Sequence, residues 1–257
     1  MEMQAPGILQ RFRLAIFGDP LPPLDPRLAA MEQVFKAPPL TRSLTRSIEL
    51  IAPHLNLRPT EADRALWQAE QNAECWADWE ALGDVLPTIR TPARILEIGP
   101  GLGRSLVFFS KKLGWEDCEL HAYEGDGSQT KYTMDGPRFD DSFCGNIAEL
   151  KRVLAFNGIN NVAIHDAKLV GLRDLPGPFD FIYGFYNIGF HWSLKHFLDD
   201  ILSLMASHGV ATFTVTEHFQ PFNALVPVNY RLISKQKPWP PDHVTHLIVI
   251  TQENTAA

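Results

Sequence analysis

Apolar positions along the chain fall into two regimes. Up to about residue 90 they recur at helical spacing between proline-rich breaks, and from Ala93 onward they gather in short runs separated by helical windows. In the first regime a short amphipathic stretch from Ile8 to Phe17 precedes Asp19-Pro20-Leu21-Pro22-Pro23-Leu24-Asp25-Pro26, where missing N–H donors and a fixed φ preclude regular structure. A helix is predicted from Thr60 to Leu86. Thr60-Glu61-Ala62-Asp63 opens it, and Leu66, Ala69, Ala73, Trp76, Trp79 and Leu82 form its apolar stripe, with Trp67 on the flank. These tryptophans read first as anchors packed on the domain that follows, with direct ligand contact as the alternative. Residues 1–90 are thus an N-terminal arm and helical cap.

In the second regime strands are predicted at Arg94–Ile98, Glu119–Glu124, Val162–His165, Phe179–Tyr183, Val210–Val215, Tyr230–Lys235 and His246–Thr251. Helices are predicted at Arg104–Leu113, Asn146–Phe156 and Leu194–Met205. The first five runs alternate with helices, which implies parallel strands joined by right-handed crossovers. The last helix is expected to stop in Ser207-His208-Gly209 before the fifth strand. Lys237-Pro238-Trp239-Pro240-Pro241 leaves no room for a helix between the last two runs, so they should pair antiparallel at the sheet edge. Residues 91–257 therefore read as an α/β, doubly wound domain with a mostly parallel seven-stranded sheet and an antiparallel edge. The long polar connection from Gly125 to Cys144 is an insertion placed to cover the site.

Composition narrows the partners. At 45% hydrophobic and 21% charged residues the chain excludes collagen-like and wholly disordered classes. A net charge of −7 with scattered Lys and Arg argues against a nucleic-acid partner. Cys75, Cys118 and Cys144 are far apart and form no CxxC pair, which disfavours a disulfide framework or a zinc cluster and suits a reducing compartment. The N-terminus lacks the basic and apolar regions of a signal peptide, and no run approaches the ~18 apolar residues of a membrane span. A cytoplasmic protein without a membrane partner is the expectation.

The densest chemical signal is Arg94-Ile95-Leu96-Glu97-Ile98-Gly99-Pro100-Gly101-Leu102-Gly103-Arg104-Ser105, a buried strand running through three alternating glycines into a helix. Bare backbone there admits a ligand where a Cβ would collide. A pyrophosphate-binding fingerprint is G-x-G-x-x-G; here the third glycine comes one residue sooner, and Glu97 lies two residues before the first. A carboxylate in that place repels phosphate and suits an ammonium. The G-x-x-x-x-G-K-S/T loop of nucleotide triphosphatases is not present in the sequence.

Leu96-Glu97-Ile98-Gly99-Pro100-Gly101-Leu102-Gly103 resembles the first motif of class I S-adenosylmethionine-dependent methyltransferases, which have a Rossmann-like fold. The resemblance runs from about Arg94 to Thr251. It implies that Gly99, Gly101 and Gly103 back the methionine part of S-adenosylmethionine and that Glu97 helps to hold its amino group. The next strand ends in Glu124, whose carboxylate can accept both ribose hydroxyls of an adenosine. Val162-Ala163-Ile164-His165-Asp166-Ala167 is similar to the family's third strand, which implies Asp166 on the adenine amino group and the Ala167 N–H on the ring. Gly184, at the end of the fourth strand, is grouped with these cofactor residues.

The acceptor should meet Gly184-Phe185-Tyr186-Asn187-Ile188-Gly189-Phe190-His191-Trp192, beyond the fourth strand. A hydroxyl acceptor must lose a proton, and His191 is the candidate base. The stretch from Phe190 to His196 is similar to the segment of small-molecule O-methyltransferases in which a base histidine precedes Trp-Ser. Here Phe190 takes that position and His191 the next, so His191 stands between a catalytic role and capping of the following helix. His218, after the fifth strand, is the second candidate. His196 is five residues from His191, which does not put two imidazoles on one helical face, and the acids of metal-dependent relatives are missing. The expectation is a metal-independent methyltransferase acting on a hydroxyl of a small sugar or aromatic molecule. The alternative is a cofactor-binding module without catalysis, serving regulation or assembly.

Overall fold

The computed structural model describes residues 75–125, 147–188, 194–216, 229–235 and 245–251. Among them seven strands form one sheet: β1 (Arg94–Ile98), β2 (Glu119–Glu124), β3 (Val162–Asp166), β4 (Phe179–Gly184), β5 (Met205–Thr216), β6 (Asn229–Lys235) and β7 (Thr245–Thr251). Their order is β3-β2-β1-β4-β5-β7-β6. The first five strands pair in parallel, while β7 enters between β5 and β6 and runs antiparallel to both. The expected antiparallel pair is therefore present, with the reversed strand one place in from the edge.

Three helices, α1 (Arg104–Leu113), α2 (Ile147–Phe156) and α3 (Leu194–Leu204), cover the sheet on both faces. Alternate residues of the central strands explain why. Ile95, Leu120 and Tyr183 pack with Phe108 and Phe109 of α1 and Leu150 and Val153 of α2. Leu96, Ile182 and Phe213 pack on the opposite side with Leu194, Leu198 and Ile201 of α3. A strand buried on both faces needs the near-continuous apolar run seen in β1. Burial of Phe108 or Phe109 contributes about 1.5–3 kcal/mol each. α1 ends at Gly114, left-handed at φ 63, whose N–H returns to the Ser110 carbonyl, and the next residue, Trp115, is buried behind it.

Residues 75–81 are helical and lie on the α1 side of the sheet. Cys75, Leu82, Val85 and Leu86 join that core, and the Trp76 and Trp79 rings meet Phe108 edge-on at 5.3 and 6.3 Å between centroids. These two tryptophans thus pack on protein aromatics; Trp67 lies outside the described residues.

One expectation is corrected. Ser207-His208-Gly209 does not separate α3 from its strand, because β5 starts at Met205 and carries these residues as an irregularity. Phe179 pairs with Met205 and Phe181 with Val210, so the stretch between is bulged out of the ladder. Gly209 suits the tight backbone, since a Cβ there would lie 2.9 Å from the carbonyls of Ala206 and Phe179. The His208 imidazole reaches Asp180 Oδ1 at 2.8 Å, which ties the bulge to β4. No helix among the described residues is long and apolar enough to cross a membrane.

Candidate cofactor site

Sheet order places the site. From β1 the chain winds outward through β2 to β3, and from β4 it winds the other way, so the carboxyl ends of β1 and β4 border a crevice where the winding reverses. The glycine turn leaves β1 at that point. Gly99, Gly101 and Gly103 all adopt left-handed backbone, at φ 67, 58 and 78. The Gly99 N–H extends the ladder to the Tyr123 carbonyl at 2.8 Å, and the Gly103 N–H closes on Pro100 O at 2.8 Å, so the turn is tight and delivers the chain into α1.

The reason for bareness differs among these glycines, and this changes the expectation. A Cβ at Gly103 would lie 2.7 Å from Leu150 Cδ1, so this glycine lets α2 pack closely on the start of α1. A Cβ at Gly99 would lie 2.9 Å from Asn187 Cγ, so the space beside it is filled by a protein side chain and not left open for a ligand. Gly101 turns its N–H to the Glu124 carboxylate, Oε2 at 2.6 Å.

Glu124 is the hub of the β2 side. It is 7% exposed, and its Oε1 accepts the N–H of Gly125 at 2.8 Å. A carboxylate accepts at both oxygens, the chemistry that hydroxyl donors require. This fits a vicinal diol at the strand end. Asp166 and Ala167 lie directly beside it, Asp166 being the register partner of Glu124. Asp166 Oδ1 accepts the N–H of Lys168 at 2.9 Å. The Ala167 N–H donates to the Glu124 carbonyl at 2.9 Å as a continuation of the ladder.

Glu97 lies beneath the glycine turn. Its side chain is on the α1 face of β1, 1% exposed, with Oε1 accepting from the Ser105 hydroxyl and Oε2 from the Tyr183 hydroxyl at 3.0 Å. Burial pushes the carboxyl up from 4.5 to about 7, opposed by the hydrogen bonds from Ser105 and Tyr183 and by the charge of Arg104. Burial and the facing carboxyl raise the Tyr183 hydroxyl well above its ordinary value. Glu97 is therefore a tie joining β1, β4 and the first turn of α1 beneath the glycine turn.

At the end of β4, a Cβ on Gly184 would lie 2.6 Å from Asn187 Oδ1 and 2.8 Å from the Ile98 carbonyl. Asn187, Ser105 and Tyr183 were not singled out as site residues by the sequence. Asn187 stood only within the segment expected to meet the acceptor, and its contact with Gly99 and Gly184 comes from the tertiary structure. His191 and His218 lie outside the described residues, as do most of the insertion and the proline-rich link. A separate polar chain crosses the α3 face, where His165 Nε2 meets His121 Nδ1 at 2.9 Å and His121 Nε2 meets Glu119 Oε1 at 2.8 Å. It is not brought to the crevice. Among the described residues no group of three or more His, Cys, Asp or Glu side chains is arranged to hold a metal.

No family model matches the chain, and no curated protein matches it. Solved structures similar to it include precorrin-6y C5,15-methyltransferase from Geobacter metallireducens, at 15% identity over 68% of this chain and 88% of that one, with a TM-score of 0.45. A SAM dependent methyltransferase from Aquifex aeolicus is 12% identical over 70% of this chain and 97% of its own, with a TM-score of 0.46. The plantazolicin methyltransferase BpumL, solved with a pentazolic desmethylPZN analog and SAH, is 13% identical over 83% of this chain and 95% of its own, with a TM-score of 0.48.

Proposed function

We propose that this chain is an S-adenosylmethionine-dependent methyltransferase that acts without a metal on a hydroxyl of a small sugar or aromatic acceptor. The observation that carries the reading is the seating of the Glu124 carboxylate on the Gly101 N–H at 2.6 Å, where the crevice between β1 and β4 opens. That arrangement puts an anionic acceptor for a ribose diol beside the glycine turn.

When bound, S-adenosylmethionine supplies an electrophilic methyl group. The chain's own contribution is to hold and orient. Glu124 takes the ribose hydroxyls, Asp166 the adenine amino group, and the backbone of the turn at Gly101 lines the methionine side. Glu97 acts from below by holding the turn through Ser105 and β4. His191 takes the acceptor proton, with His218 as the second candidate. Holding the reacting atoms at near-attack distance provides the remaining gain.

Titration calorimetry with S-adenosylmethionine and, separately, NAD tests the reading. Binding of the first and not the second is expected; no binding of S-adenosylmethionine overturns it. Methyl transfer to a panel of phenols and sugars then identifies the acceptor class.

A further inference from the structure

β1 is longer on one side than on the other. Toward β2 its ladder continues through Ile98 opposite Tyr123 and on to the Gly99 N–H. Toward β4 the pairing stops at Glu97 opposite Tyr183. The carbonyls of Ile98 and Gly99 thus reach the crevice beyond the last β1–β4 pair, and buried carbonyls require a donor.

The chain beyond β4 supplies one. At Tyr186, left-handed at φ 57 although not a glycine, the backbone turns back toward β1. Asn187 follows, 7% exposed, and its Nδ2 donates to the Ile98 carbonyl and to Gly99 O at 3.2 Å. Its Oδ1 accepts the N–H of Ile188. The carboxamide sits between Gly99 and Gly184, the two positions where any Cβ would run into it.

We infer that Asn187 is a positioning residue of the cofactor crevice: its carboxamide caps the β1 carbonyls, spaces β1 from β4, and sets the peptide plane from which the glycine turn departs. The inference rests on the proposed cofactor for what enters the crevice. The mechanical chain is short. The cap orients the Ile98–Gly99 peptide, this sets the left-handed turn, and the turn delivers the Gly101 N–H to Glu124. Loss of the donor leaves carbonyls without a partner, and the turn is then free to sample other geometries.

Asn187→Asp keeps the shape and removes the donor, whereas Asn187→Ala removes both. The test measures amide hydrogen exchange at Gly99 and Gly101 in the ligand-free protein, and S-adenosylhomocysteine binding by calorimetry. Both variants are expected to exchange faster at those amides and to bind about tenfold more weakly or worse. If Asn187→Asp exchanges and binds like the wild type, Asn187 is only a space filler and the inference falls. If the wild type binds no S-adenosylhomocysteine, the cofactor reading fails by itself, and the exchange arm still decides whether Asn187 sets the turn. Should a variant not fold, the Asn187 side-chain amide of the wild type gives the answer by NMR. Slow solvent exchange is expected, and exchange as fast as a free amide overturns the cap.

Discussion

Glu97 and Tyr183 stand opposite one another on β1 and β4, and the Tyr183 hydroxyl donates to Glu97 Oε2 at 3.0 Å in a space closed to solvent. This pairing makes stability depend on pH. The Glu97 carboxyl is raised to about 7 in the folded chain, against 4.5 as its ordinary value. The folded state therefore favours the proton, and the associated stability is complete below about 4.5 and lost as pH rises through about 7. The full effect is on the order of 3 kcal/mol. Glu97→Gln retains a neutral amide in the same space, so its melting temperature should match the wild type near the acid end and exceed it in alkali. A difference between the two that stays constant across this range would contradict the raised carboxyl.

Glu124→Ala removes the acceptor of the Gly101 and Gly125 N–H groups and the proposed ribose ligand together. S-adenosylmethionine affinity should fall by about tenfold or more. Calorimetry showing retained affinity would discredit the ribose assignment.

Gly103→Ala drives a Cβ to 2.7 Å from Leu150 Cδ1 at a backbone φ of 78. A loss of about 1–3 kcal/mol is expected from crowding and strained backbone together. Adding Leu150→Ala should make the two costs less than additive, because the truncated side chain relieves the crowding. Urea denaturation of both single variants and the double variant checks this, and strict additivity would remove the contact as the cause.

The imidazole pair on the α3 face predicts an acid limb. Burial, and then the neighbouring His121, lower the His165 value from 6.5. The folded state favours neutral His165, so its contribution is present above 6.5 and is lost as pH falls through the lowered value. Replacing His165 by Gln should flatten the decline of melting temperature in this acid range. An unchanged decline would assign it to other groups.

His191→Ala should reduce methyl transfer by about a hundredfold or more while leaving cofactor affinity in place, as for loss of a general base. An unchanged rate removes His191 from the mechanism and turns attention to His218.

Much of the architecture was legible in the chain because it rests on local periodicity. Arg94–Ile98, Glu119–Glu124 and Arg104–Leu113 have the bounds that their apolar patterns imply. The failure at Ser207-His208-Gly209 is equally instructive. Those residue types favour a stop, but pairing of Met205 with Phe179 and the tie from His208 to Asp180 absorb them into the strand. Tertiary pairing outweighed local preference there.

By itself the sequence determined the alternation of strands and helices, the three-glycine turn after β1, and the acids that follow it, since each is written in spacing along one segment. Only the tertiary structure decided what each group meets. Gly99 is bare for Asn187 and Gly103 for Leu150, Glu97 is turned under α1, and the Ala167 N–H is taken by the Glu124 carbonyl. The physical reason is that a missing Cβ or a buried carboxyl specifies a demand for space or a donor, while the partner that meets it comes from a strand or helix remote in the chain.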